Sequence, residues 1–447
     1  MSDAANPDGI AGEAAYGNIV CFPSETGMTK EPPRDRHFRQ ASPRDPNRFS
    51  DPMQNSTKTL QPRPLYILSG IYDDLYLSCR NDSPPLCTSA GKRKMLYAAI
   101  AAATSCIPTI LSPQPRGHLA PSEQPTRDLE FAGLPQKFCR ASGMRKIRIL
   151  RDMVHYAKHV YQHSKNGALF VVDNYELIYA VALCYCRLRG RLFTVVIDYE
   201  DGKHLIDRGL MRLLSSLAEF LIKPMVKGAI LATPTLAERL PLWIPNVVVP
   251  GILSDDLPIP RSPSPSGLVH LLYSGSLDVE RGIPLLLEFL ISKLIPPGIC
   301  VEVTGQGRYT DELEAISKRM PDQVRYHGKV SESQLLEIRN RCHLGLNLQS
   351  SADPISQVTY PSKTFDYLNA GLRLVSTKAA GVEGILGPAA IYLEHETTAG
   401  LAKAIVQAAS DCRSSSWQDL TILKSDYSLS GTIRRLAGLF GRITNYN

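Results

Sequence analysis

The chain reads as an α/β protein: two Rossmann-like, doubly wound parallel-sheet domains facing a cleft, behind a polar N-terminal tail. Three observations predict this. Continuous apolar runs such as ALFVVD (168–173) and RLFTVVID (191–198) end in polar turns, as strands covered on both faces do. Helix-length stretches alternate with them, and repeated βα units imply parallel sheets with right-handed crossovers. The alternation breaks once, at the proline-rich GILSDDLPIPRSPSPSG (251–267), and then restarts, so two domains are joined by a linker. A chain of 447 residues is too long for one ordinary core.

Residues 1–62 are rich in Pro, Ser, Asp, Asn and Arg and cannot bury enough apolar surface to offset their ordering entropy. They read as a disordered, solvated tail. An N-terminal domain over 63–250 starts with LYILSG (65–70). KMLYAAIAAAT reads as a helix and IPTILSP as a strand. MRKIRILRDMVHYAKHVYQHS reads as an amphipathic helix with Ile147, Leu150, Val154 and Ala157 on its inner stripe. YELIYAVALCYCRL is a helix between two strands. LMRLLSSLAEFLIKPMV (210–226) is apolar on one side, near Arg212, Lys223 and Lys227. Core packing explains that side first, and contact with an inner-membrane face is the other reading. Strands AILAT and NVVVP follow. The C-terminal domain, 268–425, repeats the pattern from GLVHLLYSG to AAIYLE and the helix TAGLAKAIVQAAS. Residues 426–447 form a C-terminal segment, with a return to the N-terminal domain as one reading.

Composition narrows the function classes. Hydrophobic residues make up 43% and charged residues 21%, as in soluble globular proteins. The net charge of +7 suits an anionic small molecule or membrane surface. No RNA-recognition motif, zinc-finger spacing or basic heptad helix is present, so nucleic acid is not expected. Ten cysteines include no CxxC pair, and several lie in apolar runs, as Cys184 and Cys186 do. Reduced, buried thiols in a cytoplasmic protein are expected, and no metal site. No basic region followed by an apolar core opens the chain, and no run of 18 apolar residues occurs, so neither signal peptide nor membrane-spanning helix is expected.

Four loops in the second half carry candidate chemistry. In LLYSGSLDVERGIPLLLEFL (271–290) a strand ends at Gly275-Ser276, and Arg281-Gly282 precede a helix with Pro284 in its first turn. Glycine lets a ligand approach the backbone, and free N–H groups at a helix start favour an anion. VTGQG (303–307) places Gly305 and Gly307 at the next strand end. In RYHGKVSESQLLEI (325–338), Ser331 and Gln334 form a capping box, and the Lys329-Val330 backbone can pair with a nucleobase edge. In YPSKTFDYLNAG (360–371), Ser362 is placed as N-cap, Lys363 in the first turn, and Asp366 at the same mouth. A cation for phosphate and an acid for sugar hydroxyls suit a nucleotide. Each loop alone also reads as an ordinary turn or cap; four on one sheet edge favour a site.

In order, GSLDVERG, VTGQG, HGKVS and PSKTFDYLNAG make most of 267–395 resemble the donor-binding domain of retaining family 4 glycosyltransferases, which have the GT-B fold. The resemblance implies that Arg281 and Lys363 meet the donor pyrophosphate, Asp366 the ribose and Lys329-Val330 the base. It implies a retaining hexosyl transfer from a nucleotide sugar to a glycan or lipid-linked acceptor in cell-surface polysaccharide assembly, without metal, by a cytoplasmic protein at the inner membrane face. The chain departs from the pattern twice: Ser276 stands where many members carry arginine, and Val358 where the earlier acid of a pair stands.

The N-terminal half then takes the acceptor. Asp173 and Asn174 close one strand, and Asp198, Glu200 and Asp201 the next. Glu200 and Asp201 are the candidate acceptor bases, Asp201 slightly preferred, against a plain polar cap. His204 and His155 stand behind them, with His155 reading better as a packed side chain. A non-hydrolysing nucleotide-sugar epimerase shares the shape, but nothing marks its acid–base pair. The two departures keep a third reading open, a degenerate, non-catalytic partner protein of the same fold.

Overall fold

A computed structural model describes residues 63–70, 90–113, 129–131, 133–139, 148–200, 209–259, 262–263, 267–292, 294–414 and 420–444. The expectations for the tail, Ile147, Asp201, His204, Cys21, Cys79 and Cys87 lie outside the described residues.

The first half carries β1 (Leu65–Leu68), α1 (Ala90–Thr104), β2 (Thr109–Ser112), β3 (Leu129–Phe131), β4 (Leu134–Phe138), α2 (Arg148–His163), β5 (Ala168–Asp173), α3 (Leu177–Leu188), β6 (Phe193–Tyr199), α4 (Leu210–Ile222), β7 (Val226–Leu231) and β8 (Asn246–Val248). Its eight-stranded sheet has the order β3-β4-β2-β1-β5-β6-β7-β8, parallel except for the β3–β4 pair. That hairpin turns at Gly133, and its three- and five-residue strands are too short to show a period in the sequence.

The second half carries β9 (Val269–Ser274), α5 (Ile283–Ile291), β10 (Ile299–Thr304), α6 (Thr310–Arg319), β11 (Val324–Tyr326), α7 (Glu332–Arg341), β12 (Leu344–Asn347), α8 (Lys363–Asn369), β13 (Arg373–Ser376), α9 (Val382–Leu386), β14 (Ala390–Tyr392), α10 (Thr398–Arg413), α11 (Thr421–Tyr427) and α12 (Leu429–Thr444). Its six strands, all parallel, have the order β11-β10-β9-β12-β13-β14.

Alternate residues of each central strand feed opposite cores. Phe170 and Val172 of β5 pack with Tyr156, Val160, Tyr179, Leu183 and Ile222 from α2, α3 and α4. Leu169 and Val171 pack with Leu96 and Ile100 of α1 and with Leu436, Leu439 and Phe440 of α12. Each such side chain contributes about 1.5–3 kcal/mol on burial. Helix α12 thus lies on the first sheet. The crossover strand is pinned by Leu253, whose N–H donates to the Tyr427 carbonyl at 2.7 Å while its carbonyl accepts from Leu429 N–H at 2.8 Å.

Three expectations need correction. On α2, Leu150 and Val154 are exposed, and Tyr156, Ala157 and Val160 are buried. The Tyr156 ring takes the core place because its hydroxyl can donate to the Leu111 carbonyl at 2.7 Å. His155 is exposed on the same helix rather than packed. Helix α4 packs through Ala218 and Ile222, but Leu210, Leu213, Leu217 and Phe220 face solvent. The described cysteines are thiols rather than disulfides, five of them buried and Cys106 and Cys184 half-buried.

Candidate active site

Both sheets reverse their winding at one point, and polar side chains collect there. In the second sheet β9 lies between β10 and β12, so a crevice opens beyond the carboxyl ends of β9 and β12. The loop leaving β9 closes on that crevice through Gly282, whose φ is 76°. A Cβ at Gly282 would run into the Leu348 carbonyl just past β12, so only glycine permits the approach. The closure carries Arg281 over β12, where its Nη1 donates to Gln349 Oε1 at 2.8 Å. Gln349 is fully buried and itself fixed: its Nε2 donates to Thr359 Oγ1 at 3.3 Å, and its carbonyl accepts from Thr377 Oγ1 at 2.5 Å.

Lys363 reaches the same point from α8. Its Nζ lies 4.0 Å from the centre of the Tyr273 ring, within cation–π range. The Tyr273 hydroxyl donates to the Ser276 carbonyl at 2.9 Å, which sets the ring beneath the ammonium. Burial holds Lys363 well below the usual lysine range, and the nearby Arg281 charge lowers it further. Among the described residues neither cation has an ion-pair partner. Two converging cations repel each other, and a bound polyanion relieves that repulsion.

Ser362 does not cap α8, contrary to expectation. It is already helical (φ −54°, ψ −25°) and its hydroxyl makes no cap bond. Thr364 closes the turn instead, donating from Oγ1 to the Pro361 carbonyl at 2.9 Å. Asp366 lies 3.7 Å from Arg339 Nη2. Burial raises its carboxyl and Glu332 adds to the rise, while Arg339 opposes it. A Cβ at Gly91 would sit 3.8 Å from Asp366 Oδ1, so the start of α1 borders this acid from the other domain. Lys94 and Glu332 bridge the same corner at 3.4 Å. Val358, eight residues before Asp366, is buried in the core.

The glycine turns hold strand ends to each other. Gly275 N–H donates to the Thr304 carbonyl at 3.1 Å, Gly305 N–H to the Gly328 carbonyl at 2.8 Å, and Leu277 N–H to the Gln306 carbonyl at 3.0 Å. A Cβ at Gly305 would strike the Gly275 carbonyl, and one at Gly307 would crowd the Leu277 carbonyl. Their immediate task is loop-to-loop packing. Ser276 is half-buried, Lys329 is exposed, and Val330 packs on the core edge. The capping box of Ser331 with Gln334 is present.

The Lys329-Val330 loop has an anchor that was not foreseen. Glu302, fully buried in β10, meets His327 Nε2 at 2.6 Å, His270 Nδ1 at 2.9 Å, Arg341 Nη2 at 2.9 Å, Arg341 Nε at 3.2 Å and Arg325 Nη1 at 3.4 Å. Burial opposes ionisation, but His270, His327 and Arg341 outweigh it and hold the carboxyl far below its usual range. His270 rises to about 9, through Cys300 and then Glu302. His270, Cys300 and Glu302 are close enough to grip a cation, but such an ion would have to displace Arg341 from both carboxylate oxygens.

In the first sheet the reversal lies between β1 and β5. Asp173, ending β5, accepts from Ser69 Oγ at 3.1 Å and from Arg93 Nη2 at 2.8 Å. Asn174 adopts φ 62°, and its Oδ1 accepts from Glu200 N–H at 2.7 Å, coupling the ends of β5 and β6. Glu200 pairs with Lys92 at 3.5 Å, so it is not a free base. Asp198 differs: burial, then Asp173 and Glu200, push it up to about 7 against Lys92 and Arg93. A carboxyl that ionises near neutrality at a strand end is placed to exchange protons with a hydroxyl. Lys92 and Arg93 were missed in the sequence; their signal was the run GKRK heading an apolar helix, four residues without a carboxylate. Because the folded pKa of Asp198 lies above its ordinary value of 3.8, its own contribution to stability falls as pH rises from about 4 to 7. Asp198→Asn is expected to flatten that fall, as read by urea denaturation across the same pH series.

No protein-family model and no curated protein sequence matches the chain. Solved structures do. The chain is similar to HepE of Anabaena in complex with UDP, with a TM-score of 0.55 and 13% identity over 85% of this chain and 100% of that one. It is similar to the lipopolysaccharide outer core galactosyltransferase WaaB (0.52, 13%, 86% and 99%). It is also similar to the α,α-trehalose 6-phosphate synthase of Burkholderia multivorans (0.55, 12%, 86% and 98%). With the two parallel sheets described above, these likenesses show that the chain has the GT-B fold.

Proposed function

We propose that the protein is a retaining glycosyltransferase that moves a hexosyl group from a nucleotide sugar to a hydroxyl of a glycan or lipid-linked acceptor, in cell-surface polysaccharide assembly. The observation that carries this is the convergence of Lys363 and Arg281, without paired carboxylates, at the winding reversal of the second sheet. In this reading the two cations hold the diphosphate and stabilise the charge that grows on it as the bond to the sugar breaks. Asp366 accepts from ribose hydroxyls, and the Lys329-Val330 backbone meets the base. Gly275 and Ser276 border the diphosphate. No protein nucleophile is required: the acceptor oxygen attacks on the face the diphosphate leaves, and a diphosphate oxygen takes its proton. On the acceptor side Asp198, unlike the ion-paired Glu200, orients the attacking hydroxyl by hydrogen bonding, while the hydroxyl's proton goes to the diphosphate oxygen.

Support also comes from the solved relatives of the same fold, HepE with UDP and with UDP-glucose, and WaaB, named for galactosyl transfer. Purified protein mixed with a panel of UDP-, GDP- and ADP-sugars is expected to gain several degrees in Tm with one base only. No shift with any member at millimolar concentration contradicts the reading. A shift without transfer to any acceptor favours a non-catalytic partner.

A further inference from the structure

We propose that α4 and the turns at the amino ends of β6, β7 and β8 form a surface that seats this protein on an anionic lipid bilayer. The stripe on α4 is built of Leu210 (67% exposed), Leu213 (65%), Leu217 (43%) and Phe220 (74%). Their spacing of three, four and three places them on one helix face, opposite the buried Ala218 and Ile222. Such a row left in water marks an interaction surface.

The stripe does not stand alone. β6, β7 and β8 are consecutive neighbours in the sheet, and the chain entering each carries exposed apolar groups or cations. Entering β6 is RLRGRL (187–192), with Leu188 85% and Leu192 72% exposed and Arg187 and Arg189 in water. Entering β7 are Phe220 and Lys223, and the exposed Lys227 is its second residue. Entering β8 are Leu242 and Trp243, the latter 80% exposed. Apolar side chains between cations, with a tryptophan at the edge, match the layering of acyl chains and phosphate headgroups.

Charge decides the occupant. Within 187–192 and 210–227 the one acid is Glu219, already paired with Lys223 at 3.2 Å. Arg187, Arg189, Arg212 and Lys227 are left in excess. A second copy meeting this face through a two-fold axis would bring those cations together, whereas an anionic bilayer complements them. Helix α4 starts on the carboxyl side of β6, where the cleft opens, so a flat-lying stripe keeps the cleft near the lipid surface.

Vesicle sedimentation tests this with the full chain and no sugar, so its outcome is separate from that of the donor reading. Vesicles of mixed phosphatidylglycerol and phosphatidylcholine are expected to retain the protein, and high salt to release it. Leu213→Ser/Phe220→Ser is expected to weaken retention by about tenfold or more with an unchanged melting curve. Arg187→Glu/Lys227→Glu is expected to weaken it comparably. The proposal is overturned if the wild type does not sediment with mixed vesicles, or binds pure phosphatidylcholine equally well. It is also overturned if Leu213→Ser/Phe220→Ser binds like the wild type, or if that variant dissociates a wild-type dimer.

Discussion

Lys363→Met is expected to lower kcat/KM for sugar transfer by a factor of about 10²–10³ and to leave the free protein no less stable than the wild type. The two halves of this expectation have one cause. The ammonium is drawn down by burial and by Arg281, so it destabilises the unliganded fold. A methionine of similar length keeps contact with the Tyr273 ring and removes the repulsion, a gain of about 1 kcal/mol. What is lost is the charge that meets the leaving diphosphate. Arg281→Ala is expected to cost a similar factor in rate, because its partner Gln349 is neutral and cannot replace it. Both variants are checked by initial rates with the donor found in the nucleotide-sugar panel, alongside thermal melts. Full activity in both would remove Lys363 and Arg281 from the chemistry.

Glu302→Gln carries the largest expected effect on stability, a loss of about 3–5 kcal/mol. The amide offers two N–H donors to a pocket already lined by donors from His270, His327, Arg325 and Arg341. It removes the one buried anion that gathers them, leaving half-exposed Arg341 and the more enclosed His270 without their partner. The pH dependence has two arms. Glu302 ionises far below its ordinary value of 4.5, so its contribution is present above that value and is lost as pH falls. His270 ionises at about 9 against an ordinary 6.5, so its contribution is full below 6.5 and is lost between 6.5 and 9. The share of stability carried by this cluster is expected to peak between those arms, and Glu302→Gln to flatten both. Chemical denaturation at pH 4, 6 and 9 reads it directly.

The alternation of strands and helices was legible because strands buried on both faces are largely apolar runs, as 168–172 is. The β3–β4 hairpin was not, because strands of three and five residues show no period. The inner stripe of α2 was misplaced because a count of aliphatic residues passes over Tyr156, whose hydroxyl finds a partner inside the core. In the candidate site, Arg281, Lys363 and Asp366 could be read from their place at strand ends. Ser362 looked like a cap, but the chain is already helical there. Gln349, Tyr273 and Glu302 escaped notice because single polar residues in apolar strands or loops carry no local signature; their roles come from partners far along the chain, Arg281 for Gln349, Lys363 for Tyr273 and Arg341 for Glu302. Asp198 could be named as a strand-end acid, but its shift depends on Lys92, Arg93 and Asp173, which only the folded sheet brings together.

The diphosphate site is tested most directly by titrating calorimetrically the nucleoside diphosphate of the preferred base over a pH series, in two buffers of different ionisation enthalpy. A dianion settling on Lys363 raises its depressed pKa, so binding should take up a proton, and the uptake should vanish in Lys363→Met. Binding without proton uptake, or uptake and affinity unchanged in Lys363→Met and Arg281→Ala, would contradict the assignment of the two cations to the diphosphate.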